Sequence, residues 1–243
     1  MGQFNNKVAI VTGGGTGIGK QMTESLVAEG AKVVITGRRR GPLEALSQKH
    51  PEQIYFVQAD VSKPNDPKRV VEYTIETLGQ LDILINNAGT FASAPLVETS
   101  DEDITRVLNV NILGVLAFSR EAIPYLSKTN GNIVNTSSVV ATGVMPGISV
   151  YAASKAAVDH ITRTLAAELG PQGIRVNSVS PGMTRTDMAA PMLEQMEESF
   201  AQQTPLARIG NPIDIANVAL FLASNKAGWV TGQVLASSGG LML

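Results

Sequence analysis

Tyr151 and Lys155 stand four residues apart in YAASK, a spacing that lays a phenol and an ammonium on one face of a helix. A phenol near pKa 10 is a poor acid or base at neutral pH. A cation about 4 Å away is worth ~4 kcal/mol at an effective dielectric of 20, an upper bound of roughly three pKa units toward the operating pH. Such a pair could give a proton to a carbonyl oxygen, although most pairs at this spacing are surface neighbours. Ser137 and Ser138 end an apolar run just upstream, and a loop bearing Gly and Pro, 141–147, leads from them into the Tyr151 helix. In that arrangement a Ser, a Tyr and a Lys converge at one sheet edge.

A second chemical signal lies near the start of the chain. TGGGTGIG, Thr12 to Gly19, follows a β-branched run and opens a helical stretch. There Gly13 and Gly17 let the backbone turn tightly toward a pyrophosphate, Gly19 allows close helix packing, and the free N–H groups of the helix start favour negative charge. The spacing departs from G-x-G-x-x-G, with Ile18 and Lys20 at positions that pattern gives to glycine, so a plain glycine-rich turn is the competing reading. The end of the next strand selects the dinucleotide, because an acid there would bind a ribose 2′-hydroxyl and an Arg a 2′-phosphate. The chain reads Thr36, Gly37, Arg38, Arg39, with no acid before Glu44. This favours NADP(H) over NAD(H), against the alternative of a solvated basic turn.

Both signals need a scaffold that brings strand ends together. Short β-branched runs at 7–12, 32–37, 54–58, 81–86, 132–137, 174–180 and 233–236 alternate with helical stretches at 17–29, 64–78, 101 to about 126, 149–169 and 213–223. Near-continuous apolar runs mark strands buried on both faces, and the stretches between them are long enough for crossover helices. The expected fold is α/β: a doubly wound, Rossmann-type parallel sheet of about seven strands with helices on both faces, whose ligands sit beyond the carboxyl ends of the strands. Gly30, Gly79 and Gly170 are read as helix stops. The segment 183–206 breaks the alternation with Pro191, Pro205 and several methionines, and reads as a mobile apolar insertion after a strand end.

Composition narrows the classes. The 243 residues are 44% hydrophobic and 16% charged, enough apolar side chain for one large core and too little charge for disorder. A net charge of −2 with scattered basic residues points away from nucleic acid and from anionic membranes. No cysteine and two histidines, His50 and His160, argue against a metal site, and His160 has no evident partner. The polar start leads into an apolar run far too short to span a membrane, so cytoplasmic residence is the default expectation.

TGGGTGIG, NNAG (Asn86 to Gly89), NVNILG (Asn109 to Gly114), Ser138 thirteen residues before YAASK, and PGMTRT (Pro181 to Thr186) occur in this order. Together they resemble the short-chain dehydrogenase/reductase family over essentially the whole chain. The resemblance implies one dinucleotide-binding and catalytic domain, 1–243, with a substrate lid at about 183–206. It implies a tetrad of Asn111, Ser138, Tyr151 and Lys155. In it Tyr151 protonates the carbonyl oxygen, Ser138 holds that oxygen, Lys155 binds the nicotinamide ribose and lowers the Tyr pKa, and Asn111 helps hold a relay water. It places the cofactor along Gly13, Gly15, Thr16, Gly17, Ile18, Gly19, Arg38 and Arg39, with Asp60 and Val61 at the adenine, Asn87, Ala88 and Gly89 at a ribose, and Pro181, Gly182, Thr184 and Thr186 beside the nicotinamide. Substrate would meet Phe91, Val139, Val144, Met183, Met188 and Met192, with Met side chains repacking around apolar ligands unless the Met-rich segment is ordinary core. The family is mostly tetrameric, and apolar excess on the helices within 111–126 and 149–169 fits a homotetramer.

One group in the family reduces 3-oxoacyl chains on acyl carrier protein. Its basic docking positions match Thr129 and Gln172, leaving Lys128 as the nearby cation, so carrier recognition would lose complementarity. Ser238 also stands where the family commonly has Asp, which touches a local hydrogen bond near the C-terminus. The expectation is therefore an NADPH-dependent carbonyl reductase acting reversibly on small ketones or secondary alcohols. The alternatives are a 3-oxoacyl-thioester reductase and a silent dinucleotide sensor on the same fold.

Overall fold

The computed structural model describes residues 2–242. Seven parallel strands form one sheet: β1 (Val8–Thr12), β2 (Lys32–Gly37), β3 (Ile54–Gln58), β4 (Ile83–Asn86), β5 (Asn132–Thr136), β6 (Arg175–Pro181) and β7 (Val234–Ser237). Their order is β3-β2-β1-β4-β5-β6-β7, so the chain first winds outward from β1 and then crosses to β4 on its other side. That reversal opens a crevice beyond the carboxyl ends of β1 and β4, where ligands of open α/β sheets bind. Register is set by apolar pairs such as Val11 with Ile85 and Val33 with Ile54.

Side chains alternate across the strands and divide the core in two. Ala9, Val11, Val33, Ile35, Ile83 and Ile85 face one buried cluster with Met22, Leu26, Ile215 and Ala219. Ile10, Val34, Leu84, Ile133 and Val176 face the other, with Val70, Phe118 and Leu169. The helices supplying these partners are α1 (Gly17–Ala28), α3 (Asp66–Leu78), α5 (Gly114–Thr129), α6 (Ser149–Leu169) and α8 (Pro212–Ala223), while α2 (Arg40–Lys49), α4 (Asp101–Leu108) and α7 (Ala190–Gln203) complete the set. α8 opens with a capping box, the Asn211 and Asp214 side chains satisfying each other's backbone N–H groups.

Four local expectations change. Arg40–Lys49 is a helix although its RRRGP start reads as a turn, because Pro42 falls in the first helical turn, where a missing N–H costs nothing. The insertion at 183–206 contains helix α7, with Leu193 and Phe200 buried beneath it. The single helix expected over 101–126 is interrupted by one π turn at Asn109–Leu113. Gly30 and Gly79 adopt left-handed φ of 95° and 79°, and α6 stops at Leu169 as read, but Gly170 stays right-handed and opens a 3-10 turn, Gly170–Gln172, that left-handed Gly173 closes at φ 77°.

Candidate active site

The glycine loop meets β4 through Thr12. Its hydroxyl accepts the N–H groups of Asn87 and Ala88, each at 3.0 Å, and the Asn87 amide donates back to the Thr12 carbonyl at 3.0 Å. Thr12 thus clamps the two loops that form the crevice, a role invisible in a lone Thr at a strand end. Gly13 and Gly17 sit at φ 67° and 54°, and a Cβ on Gly19 would stand 2.3 Å from the Gly13 carbonyl oxygen. Side chains are excluded there for backbone reasons. A Cβ on Gly17 would lie 3.3 Å from the Thr186 methyl, so glycine also keeps the gap to PGMTRT open.

A cleft of about 560 Å³ runs from this loop across the sheet. Gly13, Gly15, Thr16, Gly17, Ile18, Gly19, Arg38, Arg39, Asp60, Val61, Asn87, Ala88 and Gly89 line it, as do Pro181, Gly182, Thr184 and Thr186. An open helix start with unencumbered N–H groups, flanked by two Arg residues, fits a dinucleotide phosphate chain. The Arg triplet splits: Arg38 and Arg39 line the cleft, whereas Arg40 begins α2, pairs with Glu44 and lies 5.4 Å over the Phe56 ring. Arg39 reaches Thr16 Oγ1 at 3.3 Å and Asp187 at 3.8 Å, spanning the cleft mouth. The Asp60 carboxylate accepts from the Ser62 N–H and hydroxyl at 3.0 and 2.7 Å, which fixes the turn after β3.

Beyond the carboxyl end of β5, Ser138 caps a short 3-10 turn at Val139–Ala141, and α6 delivers Tyr151 and Lys155 to the same wall. The Tyr151 ring meets the edge of Phe91 at 5.0 Å, and the Lys155 ammonium lies 5.7 Å from its centre. Lys155 donates to the Thr136 carbonyl at 2.8 Å and is 5% exposed. Burial brings its ammonium down to about 8, against the opposing charge of Asp159. Burial also pushes the Tyr151 phenol above its ordinary value, with the Ser138 hydroxyl pulling the other way. The expected lowering of that phenol by Lys155 is therefore not found in the free protein, where desolvation of the phenolate wins.

Asn111 sits on the π turn, a distortion frequent at functional sites, and is 1% exposed. Its Oδ1 accepts the Thr90 N–H at 2.8 Å, and its Nδ2 donates to the Thr90 carbonyl and the Ser154 hydroxyl at 3.0 and 2.9 Å. It stands behind the wall rather than in it. Phe91, Val139, Met183, Met188 and Met192 also line the cleft. Val144 does not: it is 90% exposed, and its neighbour Met145 turns inward instead. A loop without periodicity gave no way to choose between adjacent residues. His160 is exposed on α6, and Ser238 supports its own turn by accepting the Gly240 N–H at 3.2 Å. No cluster of potential metal ligands occurs among the described residues.

Comparison with known proteins agrees with this geometry. The family model described as enoyl-(acyl carrier protein) reductase matches residues 13–242. A 3-oxoacyl-acyl-carrier-protein reductase from Thermotoga maritima is 39% identical over 99% of this chain and all of its own length. A 3α-hydroxysteroid dehydrogenase from Mediterraneibacter gnavus is 38% identical over 97% of each. Among solved structures, a short-chain dehydrogenase/reductase from Brucella melitensis, titled glucose/ribitol dehydrogenase, covers both chains fully with a TM-score of 0.95 at 35% identity. A dinucleotide crevice that carries Ser138, Tyr151 and Lys155, matched from end to end in sequence and in backbone, makes this chain a member of the short-chain dehydrogenase/reductase family of NAD(P)-dependent oxidoreductases.

Proposed function

We propose that the chain is an NADPH-preferring carbonyl reductase that interconverts ketones and secondary alcohols. The observation that carries this is the convergence of Tyr151, Ser138 and Lys155 between the glycine-rich mouth and an apolar chamber. Bound nicotinamide supplies the hydride for reduction and takes it back in oxidation. As the carbonyl carbon gains that hydride, the Tyr151 hydroxyl gives its proton to the oxygen, leaving a phenolate. The Ser138 hydroxyl donates to the same oxygen and holds it in line. A phenol whose pKa is raised stays protonated at neutral pH, ready for the reductive direction. Below pH 8 Lys155 is mostly charged, so its ammonium stabilises the phenolate as it forms. Asn111 is a positioning residue: its bracket to Thr90 and Ser154 fixes α6 against the crevice wall.

Arg38 and Arg39 at the end of β2 support the preference for a 2′-phosphate. A small ketone is favoured over a carrier-bound thioester because Thr129 and Gln172 offer no charge and Lys128 lies 5.3 Å over the Tyr125 ring. The 39% identity to the Thermotoga reductase favours the thioester as the second reading. We also assign a homotetramer, in support of which Leu108, Leu113 and Leu116 on the α4–α5 stretch and Phe221, Trp229 and Leu235 near the C-terminus are large apolar side chains exposed to solvent. Light scattering tests it, a monomeric mass refuting the assignment. Initial rates of NADPH and NADH oxidation with free ketones and a 3-oxoacyl thioester test the function. Turnover confined to the thioester would install the second reading.

A further inference from the structure

Five of the chain's eight methionines line the cleft: Met145, Met183, Met188, Met192 and Met242. Met145 and Met242 connect regions far apart in sequence. Both pack against the cluster of Leu193, Phe200 and Ile209 around α7, and both pack against the cluster of Val139, Val140 and Ile148 that carries Phe91 and Tyr151. Met242 gets there through a turn in which Gly239 and Gly240 sit at φ 64° and 92°, and Met242 itself is held at φ 59°. A long side chain in left-handed backbone is held there by its surroundings. The loop after Ser138 makes room for it: at Gly143 a Cβ would lie 2.5 Å from the Met242 sulfur and 3.2 Å from its Cβ.

Most charges of the cleft lie elsewhere. Its charged lining residues are Arg38, Arg39, Asp60, Lys155 and Asp187, of which Arg39 and Asp187 pair with each other at the mouth. The clusters around Met242 contain apolar side chains and the Tyr151 ring. The one cation of the lining beside the Tyr151 ring is Lys155, 5.7 Å from its centre and already donating to the Thr136 carbonyl, so an uncharged ketone fits this chamber better than a carboxylate or a phosphate.

We propose that Met242, seated in the Gly143 socket, is a specificity-determining residue that sets the size of the uncharged apolar ketone reaching Tyr151. This rests on the carbonyl-reductase reading. The experiment compares kcat/KM for cyclohexanone and for the bicyclic 1-decalone with NADPH, in the wild type, Met242→Ala, Gly143→Ala and the double variant. Met242→Ala should raise the decalone-to-cyclohexanone ratio about tenfold or more, the scale on which pocket volume discriminates. Gly143→Ala should change the ratio at least threefold alone and by less than half as much when Met242 is already Ala, because the sulfur met at 2.5 Å is then gone and only the contacts with the residue 242 Cβ at 3.2 Å and the Val139 carbonyl at 3.1 Å remain. A ratio cancels loss of folded protein, and NADPH affinity measured by nicotinamide fluorescence should stay within twofold in all four. An active wild type whose ratio holds in Met242→Ala refutes this proposal alone. A wild type inactive on both ketones refutes it together with the ketone reading.

Discussion

Lys155 should weaken the fold while serving the site, and the size of that cost is set by its burial. The ammonium has an ordinary value of 10.5 in the unfolded chain and about 8 in the folded protein. Between these values the unfolded chain holds the proton more tightly, so stability rises as pH climbs from 8 toward 10.5. At neutral pH the depression corresponds to roughly 3 kcal/mol against folding, at 1.36 kcal/mol per pKa unit. By pH 9.5 about 2 kcal/mol of this has been relieved in the wild type, and none in Lys155→Met, which has nothing to titrate there. Urea unfolding of both proteins at pH 7 and 9.5 reads the effect. The stability difference, wild type minus variant, should move in favour of the wild type by about 2 kcal/mol between the two pH values. A difference constant to within about 0.5 kcal/mol would mean that the ammonium is hydrated rather than buried, since a hydrated ammonium carries no such linkage.

Four further outcomes follow from individual contacts. Gly19→Ala places a Cβ against the Gly13 carbonyl, so the loop must shift and NADPH affinity by titration calorimetry should fall at least tenfold, about 1.4 kcal/mol. Ultraviolet difference titration of wild type against Tyr151→Phe should show the missing phenol ionising above pH 10; ionisation below it would overturn the burial argument. Asn111→Ala leaves the Thr90 N–H and carbonyl without their side-chain partner and removes the donor to the Ser154 hydroxyl, and thermal or urea unfolding should show a loss of about 2–4 kcal/mol. Arg38→Ala combined with Arg39→Ala should raise KM for NADPH about tenfold or more with little change for NADH, a pattern absent if both arginines are only a solvated turn.

The inner strands are legible in the sequence because two-sided burial leaves continuous apolar runs, whereas the edge strand β7, VLAS, is half exposed and legible only from its β-branched start; the order of glycine, Asn and Tyr-Lys motifs reports the crevice that the reversal at β1 and β4 opens. Helix α2 is hidden by a start of charge, Gly and Pro, and α7 by two prolines and many methionines, although Pro191 occupies a first-turn position that helices tolerate. The π turn leaves no trace in an apolar period. Thr12 and Met242 are functional-site neighbours only through tertiary contact, so no spacing announces them. The Lys155 effect on Tyr151 illustrates the same limit, since proximity on a helix face is readable but the desolvation of both groups is not.

Every step of the proposed reduction depends on Tyr151 as its proton donor. Steady-state rates of NADPH oxidation with cyclohexanone, measured for wild type and Tyr151→Phe alongside NADPH binding, test it most directly. Removing the hydroxyl should lower kcat by about 10²–10⁴, the scale of general acid catalysis, while NADPH affinity is retained. Undiminished turnover in Tyr151→Phe would contradict it.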